Sequence, residues 1–404
     1  MRQFLGFICF AIALSANTRT PLSLPYDGRP CYEPANTPSA ELLGLCRPSF
    51  LIIGAGKSGT SSLYSYLQRH PMVLPARSKQ THFWRYDYSG PGSVPGYYGN
   101  FPNATQLGSG GRVTGEASPG YLPSSESASR TGEHLKGVRI IVLVRDPVER
   151  AYSSYKYNYV NAILGDVRAR GVRSRRRRRE REAKVGIDGH MEAINAELEE
   201  VDKRRLVTFE EFVDAEMDYI RKCMQGRGGE REGVMERCFE GRDGEDPSEQ
   251  WKSIPKTLVD ERGVRIDRIF DTNGNHLVRS MLARGMYSSQ VDVWRRHHRE
   301  ENVHVMCTSD LDVREMGADI VGEKIDEVAA FIGLEKFDFE PAVGAIGVLN
   351  HGSKPGYERA TAWDEYWKDD VDPNLRAKIV SFFKELEVWT GWNEYSALCG
   401  WSAA

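Results

Sequence analysis

The stretch FLIIGAGKSGTSS, residues 50–62, decides the fold class of this chain. Phe50 to Ile53 form a short apolar run, and the glycine-rich sequence GAGKSGT follows directly. Leu63, Tyr66 and Leu67 then recur at helical spacing until His70-Pro71 ends the pattern. The stretch therefore predicts a strand, a tight loop and a helix.

The same order of elements returns further along the chain. Residues 139–144, RIIVLV, form a continuous apolar run of the kind seen in buried parallel strands. Asp146, Pro147 and Glu149 then match the N-cap, first position and capping-box position of a helix. A strand is also predicted at residues 303–307, a helix with an apolar stripe ending at Gly333, and a last helix starting at Asp372-Pro373. Alternating strands and helices predict an α/β fold with a central, mainly parallel sheet.

Length and composition predict one large domain with additions. The chain has 404 residues and is 40% hydrophobic, which is enough for a full core. We expect a signal peptide or short signal anchor at 1–16, a stem or linker at 17–47, and one domain at 48–400. Residues 162–205 fit no core and carry the run Arg175–Arg179, so they predict a disordered insertion, either a solvated loop or an arm that captures anionic glycans. The net charge of −3 gives no global attraction for nucleic acid.

Seven cysteines are present, and six remain when Cys9 in the apolar leader is set aside. In an oxidising lumen these predict disulfides, with Cys31/Cys46 and Cys223/Cys238 as the local pairs. Free buried thiols are the alternative. The chain has no C-x-x-C or Cys/His cluster for a metal site.

The loop at residues 54–61 has the composition of an anion-binding site. Its glycines allow close approach of the backbone, and the helix that follows presents unpaired N–H groups with a partial positive charge. Lys57 adds a charge, and Ser58, Thr60 and Ser61 add hydroxyl donors. The lysine comes too early for a Walker A loop, and no Walker B carboxylate is evident. A structural tight turn would explain the same glycines.

A second motif, RDPVERAYS at residues 145–153, strengthens the interpretation of the first. Arg145 follows the strand at 139–144, so it is expected at the carboxyl edge of the sheet, where ligands of such folds bind. Ser153 lies about two helical turns further on, within reach of the same ligand. A guanidinium and a hydroxyl suit a phosphate monoester, whereas the alternative for Arg145 is an ordinary ion pair.

These two motifs resemble those of the sulfotransferase superfamily, and the match is closest to glycan sulfotransferases of the heparan sulfate 3-O- and N-acetylgalactosamine 4-sulfate 6-O-types. The resemblance covers about residues 48–392 and implies the three-layer fold of P-loop-containing nucleotide hydrolases. It implies that Lys57, Ser58, Gly59, Thr60 and Ser61 hold the 5′-phosphosulfate of 3′-phosphoadenosine 5′-phosphosulfate (PAPS). It also implies that Arg145 and Ser153 hold the 3′-phosphate, and that a loop containing Lys354, Pro355, Gly356 and Tyr357 closes over the nucleotide. An ordinary surface turn is the alternative for that loop.

The general base departs from the resemblance. Related families often have Glu in a segment Lys-Glu-x-His-Phe-Phe, whereas residues 79–84 here read KQTHFW. Gln80 cannot accept a proton. His82 is the first candidate, because an imidazole titrates near neutral pH and lies on the same face as position 80 if the segment is extended. A structural histidine is the alternative, and Glu116 is the reserve base. Ala117 replaces a lysine that some relatives carry.

The sequence therefore predicts a PAPS-dependent carbohydrate O-sulfotransferase, a glycoprotein of the Golgi lumen that needs no metal. Lys57 would stabilise the leaving phosphate and His82 would receive the proton of a glycan hydroxyl. A sequon at Asn103-Ala104-Thr105 supports the secretory location. Five aromatic residues could stack on sugar rings or simply pack in the core: Trp84, Tyr97, Tyr98, Tyr287 and Trp294. The alternatives are a protein that binds PAPS or glycan without turnover, and a P-loop nucleotide kinase. No nucleic-acid partner is expected, and contact with a membrane would need the leader to be retained.

Overall fold

The computed structural model describes residues 31–32, 40–108, 110–160, 208–224, 281–346 and 370–401. Five parallel strands form one sheet in the order β2-β3-β1-β4-β5. They are β1 (Phe50–Gly54), β2 (Val73–Pro75), β3 (Val113–Glu116), β4 (Arg139–Val144) and β5 (Val303–Cys307). The strands predicted at 50–53, 139–144 and 303–307 are confirmed, and β1 lies in the middle of the sheet.

Within the described residues, one or more helices follow each strand. They are α1 (Thr60–Leu67), α2 (Val94–Tyr98), α3 (Ala104–Leu107), α4 (Ser125–His134), α5 (Pro147–Ser154), α6 (Phe209–Met224), α7 (Tyr287–His297), α8 (Val313–Met316), α9 (Ala318–Phe331), α10 (Glu340–Ile346), α11 (Pro373–Glu385), α12 (Glu387–Thr390) and α13 (Trp392–Cys399). Turns of 3-10 type lie at Ala40–Leu42, Pro91–Ser93, Ala283–Gly285, Glu300–Asn302 and Thr308–Leu311, and π-helical turns at Phe83–Asp87 and Tyr155–Val160.

Three layers arise because successive side chains of β1 point to opposite faces of the sheet. Phe50 and Ile52 pack in a cluster with residues of α1, α9 and α10. Leu51 and Ile53 pack on the other face with residues of α4 and α7, among them Trp294. The predicted three-layer α/β fold with a mainly parallel sheet is confirmed.

A third cluster joins helices rather than strands. It combines buried apolar residues of α5, α6 and α11 with Trp392, the first residue of α13. Asp146 accepts hydrogen bonds from the backbone N–H groups of Val148 and Glu149, at 2.8 and 3.2 Å, so the predicted N-cap of α5 is confirmed. This cap fixes where the RDPVER segment turns from strand to helix.

Two disulfides hold the described residues. Cys31 and Cys46 are bonded, which confirms one predicted local pair, and Cys307 at the end of β5 is bonded to Cys399 at the end of α13. The sequence did not single out the second pair, because its members are 92 positions apart. The predicted Cys223/Cys238 pair, the leader at 1–16 and the insertion at 162–205 lie outside what the structure describes, and the domain boundaries stay predictions.

Within the described ranges, no helix combines the length and the apolar character that crossing a bilayer requires. No group of three or more His, Cys, Asp or Glu side chains suited to a metal ion was found in the same ranges.

Candidate donor and acceptor site

The loop between β1 and α1 lies at the carboxyl edge of the central strand. Its backbone is left-handed at Lys57, with φ of 72°, and at Gly59, with φ of 84°. A left-handed residue other than glycine is uncommon and marks a backbone held by its surroundings. Gly59 is the N-cap residue of α1 and has no side chain to cap the helix. The first N–H groups of α1 therefore face the loop, as an anion site requires.

Neighbouring strands hold this loop in place. The N–H of Ala55 donates to the carbonyl of Leu143, at 2.8 Å. Thr308, directly after β5, donates its hydroxyl to the carbonyl of Ser58 and to that of Val144, each at 3.0 Å. Thr308 was missed by the sequence analysis, although a polar residue just after a buried parallel strand was a usable signal.

The hydroxyl-bearing residues of the loop differ in exposure. Ser58 and Thr60 are buried, whereas Ser61 is partly exposed. An anion in the loop would therefore meet backbone N–H groups and Ser61 more readily than the side chains of Ser58 and Thr60. The predicted contacts of Lys57, Ser58, Gly59, Thr60 and Ser61 with a phosphosulfate stay predictions.

Arg145 joins the second motif to the first. Its guanidinium donates to the carbonyl of Lys57 at 3.3 Å and pairs with Glu149 at 3.0 Å. The backbone of Arg145 is fixed by Tyr287, whose hydroxyl donates to the Arg145 carbonyl at 2.7 Å and accepts from its N–H at 3.3 Å. The carboxylate of Glu149 thus pairs with Arg145, while Asp146 alone is the side chain that caps the helix in this segment. Ser153 is partly exposed on α5, and its predicted role at the 3′-phosphate stays a prediction.

An exposed tyrosine lies against Lys57. The ammonium of Lys57 is 3.8 Å from the centroid of the Tyr157 ring, a distance typical of a cation–π contact. Tyr157 is 53% exposed and lies in the π-helical turn that extends α5. The sequence did not predict the contact between Tyr157 and Lys57, because nothing in the motif indicates a π-helical turn that places Tyr157 against the loop.

The segment KQTHFW runs beside the end of β3. The N–H of Ala117 donates to the carbonyl of Lys79 at 2.8 Å, and the ammonium of Lys79 donates to the hydroxyl of Ser61 at 2.8 Å. The side chain of Lys79 is partly buried, and burial lowers its pKa to about 8. Gln80 is exposed. The segment thus touches the loop at residues 54–61 through Lys79, which the sequence named only as part of the motif.

Glu116, the last residue of β3, has no exposed surface. Its carboxylate accepts hydrogen bonds from four hydroxyl groups, those of Thr81, Tyr97, Ser118 and Tyr121, at 2.6 to 3.1 Å, and from the N–H of Thr81 at 3.1 Å. Burial raises the pKa of Glu116, and the hydrogen bonds oppose that rise. This arrangement fastens the KQTHFW segment to the sheet. The role of Glu116 as a reserve base stays a prediction.

His82 does not lie in an extended segment, as the sequence analysis assumed. Its φ is 53°, and the π-helical turn Phe83–Asp87 begins directly after it. The segment turns here because the N–H of His82 donates to the hydroxyl of Ser118, at 3.1 Å, which is itself held by Glu116. The imidazole lies beside Gly120, where an added Cβ would be 3.6 Å from Nδ1. Positions 80 and 82 therefore do not share the face predicted for an extended segment, and the base role of His82 stays a prediction.

The five aromatic residues offered as sugar platforms are core residues. Trp84, Tyr97, Tyr98, Tyr287 and Trp294 are all buried, in the cluster on the α4 and α7 face of the sheet. Aromatic side chains bury the largest apolar area, so packing explains them. The loop holding Lys354, Pro355, Gly356 and Tyr357 lies outside the described residues. Asn103 caps α3 and is exposed, and its glycosylation stays a prediction.

Comparison with known proteins supplies relatives but no family model, since none matches the chain. The chain is 23% identical over 366 residues to the membrane-associated sulfotransferase kil1 of Dictyostelium discoideum, and this alignment covers 84% of this chain and 64% of that protein. It is 35% identical over 108 residues to mouse heparan sulfate glucosamine 3-O-sulfotransferase 3A1, and this alignment covers 27% of this chain and 26% of that protein.

The similar solved structures include that of a sulfotransferase from Alicyclobacillus acidocaldarius, with a TM-score of 0.43 and 18% identity. The match covers 86% of this chain and 97% of that one. Of the two curated sequence relatives named above, by contrast, the chain spans less than two thirds of the length. The resemblance to glycan-type members of the sulfotransferase superfamily, first seen in the two loop motifs, is confirmed by the curated relatives, which are named as sulfotransferases and include heparan sulfate enzymes.

Proposed function

We propose that this chain, a relative of the sulfotransferases, transfers a sulfuryl group from PAPS to a hydroxyl of a glycan. The observation that carries the proposal is the hydrogen bond between the Arg145 guanidinium and the carbonyl of Lys57. It brings the cation of one motif onto the loop of the other, at the carboxyl edge of β1 and β4, where α/β sheets bind nucleotides. Two phosphate-binding motifs that meet in this way suit a donor with phosphates at both its 3′ and 5′ positions.

In this proposal the two motifs divide the donor between them. The residues Lys57 to Ser61 and the uncapped N–H groups of α1 receive the 5′-phosphosulfate, and Arg145 with Ser153 receives the 3′-phosphate. Lys57 must leave the Tyr157 ring to reach the bridging oxygen, which its flexible stem allows. Residues 354–357 are proposed to complete the nucleotide site, and their placement is not described.

The transfer is an in-line displacement. The acceptor oxygen forms a bond to sulfur as the bond from sulfur to the 5′-phosphate oxygen breaks, and adenosine 3′,5′-bisphosphate (PAP) leaves. Charge grows on the leaving phosphate, where Lys57 and the loop N–H groups stabilise it. His82 is proposed to accept the proton of the acceptor hydroxyl. The buried carboxylate of Glu116 fixes the segment that carries His82.

The glycan acceptor is supported by the names of the relatives, several of which act on heparan sulfate. A location in the lumen of the secretory pathway is proposed as well, because the sequence predicts an N-terminal leader and a sequon for N-glycosylation.

The test is transfer of labelled sulfate from PAPS to a panel of chondroitin, dermatan, heparan and desulfated algal-type polysaccharides. We expect transfer by the wild type and loss of at least about 100-fold in Lys57→Ala and His82→Ala, since each removes a group that acts in the transition state. Lys324→Ala is the control, because that lysine lies on α9 and pairs with Glu327 on the same helix. Binding of PAP without transfer to any acceptor would favour a protein that binds without turnover, and no PAP binding would overturn the proposal.

A further inference from the structure

The ammonium of Lys79 places a second positive charge at the loop of residues 54–61, which we call the donor loop. Its ammonium donates to the hydroxyl of Ser61, 2.8 Å away, in the first turn of α1. Its backbone carbonyl accepts the N–H of Ala117 just beyond β3, at 2.8 Å. The sheet therefore fixes the base of the side chain while the tip reaches the loop. Lys79 thus connects the loop at residues 54–61 to the segment at residues 79–84.

Among the described residues, no carboxylate forms an ion pair with Lys79. Glu116, which accepts hydrogen bonds directly from Thr81, directs its carboxylate oxygens to four hydroxyl groups and one backbone N–H instead. The depressed pKa of Lys79 has burial as its cause and no compensating negative charge. Buried charges in proteins are normally paired, because loss of hydration is costly. An ammonium in this position is suited to an anion that arrives with a ligand.

The position of Lys79 selects the part of the donor that supplies this anion. Arg145 approaches the loop from the β4 side, at the carbonyl of Lys57, whereas Lys79 approaches from the β2 and β3 side, at Ser61. The KQTHFW segment, which we call the acceptor segment because it carries the proposed base His82, runs on that side, beside the end of β3. In an in-line transfer the acceptor meets the sulfuryl group, since that group lies at the end of the donor.

We propose that Lys79 binds the sulfuryl oxygens of the donor and stabilises them during transfer. This inference rests on the proposed function. Lys79 keeps its proton throughout: the new bond forms between the acceptor oxygen and sulfur, the bond to the 5′-phosphate oxygen breaks, and the acceptor proton goes to the base. Lys79 contributes positive charge beside the equatorial oxygens, and together with Ser61 it sets the position of the group that is transferred.

The experiment compares PAPS with PAP, which differ by the sulfuryl group alone. Dissociation constants of both are measured by calorimetry for the wild type, Lys79→Met, Lys79→Arg and the control Lys384→Met, an exposed lysine of α11. We expect Lys79→Met to weaken PAPS binding about 10-fold or more, the size of a lost hydrogen bond to a charged group, with PAP binding unchanged within about twofold. Lys79→Arg should retain part of the PAPS affinity because the charge remains. Neither measurement requires the acceptor to be known.

Two results would overturn the inference. Equal weakening of PAP and PAPS in Lys79→Met would mean that Lys79 supports the loop or a phosphate, and unchanged binding of both would mean that it contacts neither. In both cases the wild type still binds PAP, so the proposed function survives. Failure of the wild type to bind PAP and PAPS would instead overturn the proposed function and the inference with it.

Discussion

The guanidinium of Arg145 donates to the carbonyl of Lys57 and pairs with Glu149, so its position does not depend on a bound donor. Such a preset cation should distinguish PAPS from adenosine 5′-phosphosulfate, which lacks the 3′-phosphate. We expect Arg145→Ala to reduce this preference about 10- to 100-fold, the effect of losing charge-assisted hydrogen bonds. Competition binding with the two nucleotides measures it.

The matched variant for Arg145 is Arg145→Lys, which keeps the charge and loses the fork of donors. It should recover only part of the preference. A preference for the 3′-phosphate that is intact in Arg145→Ala would show that another residue holds that phosphate.

Lys79 also links donor binding to pH. Burial lowers its pKa to about 8, so its charge in the donor-free protein is lost as pH rises through that value. A bound sulfuryl group would favour the ammonium and raise its pKa, so binding of PAPS near pH 8.5 should take up part of a proton. The measured quantity is the difference in proton uptake between wild type and Lys79→Met, so that proton exchange by other groups cancels.

Calorimetry of PAPS binding in buffers of different ionisation enthalpy gives that proton number. We expect a smaller uptake in Lys79→Met than in the wild type, and little difference between the two when PAP is the ligand. The same proton uptake in both proteins with PAPS would contradict this linkage.

At the scale of elements, Asp146 connects the start of α5 to α11. Its carboxylate caps α5 through Val148 and Glu149 and forms an ion pair with Arg376 of α11. Asp146→Ala removes both interactions, whereas Asp146→Asn keeps an oxygen that can cap the helix. We expect Asp146→Ala to be less stable than Asp146→Asn by about 1 kcal/mol, the usual value of a cap.

Denaturant unfolding of both Asp146 variants measures this difference. Because Arg145 precedes the cap, we also expect PAP to bind more weakly to Asp146→Ala than to Asp146→Asn. Equal stability of the two variants would mean that the ion pair, and not the cap, accounts for the effect of Asp146.

At the scale of the whole molecule, the Cys307–Cys399 disulfide ties the end of the edge strand β5 to the end of α13. Cross-links over long loops restrict the unfolded chain most, in the chain-entropy description. We expect Cys307→Ala/Cys399→Ala to lower the free energy of unfolding by about 2–5 kcal/mol. The Cys31→Ala/Cys46→Ala variant, which opens a separation of 15 positions, should lose less.

Thermal and denaturant unfolding of the two double variants under oxidising conditions checks the order. A larger loss in the Cys31→Ala/Cys46→Ala variant would show that local packing near the N-terminal bridge outweighs chain entropy. PAP binding should persist in both variants at temperatures where they remain folded, since neither bridge is part of the donor loop.

The strand–loop–helix order, the parallel sheet and the neighbourhood of Lys57 and Arg145 were predictable from sequence. They follow from local rules: apolar runs of strand length, a glycine-rich loop before a helix, and the rule that parallel strands end at one edge of the sheet. The N-cap at Asp146 and the pair Cys31/Cys46 were predictable for the same reason, since their partners are near in sequence.

Other features depended on contacts between distant parts of the chain. The sequence suggested an extended KQTHFW segment. Instead, a π-helical turn begins after His82, because the N–H of His82 donates to Ser118 and Ser118 is held by Glu116. Thr308 and Tyr157 reach the donor loop from other elements. Five aromatic residues that resembled sugar platforms proved to be core, because burial depends on which helices cover the sheet.

By itself, then, the sequence determined the class of fold and the two cationic motifs. Only the tertiary structure decided the shape of the acceptor segment, the contact between Lys79 and Ser61, and the bond between Cys307 and Cys399. The physical reason is the distance along the chain over which each kind of interaction acts. Periodicity and capping act within a few residues, whereas hydrogen bonds and burial are settled by whichever elements the fold brings together.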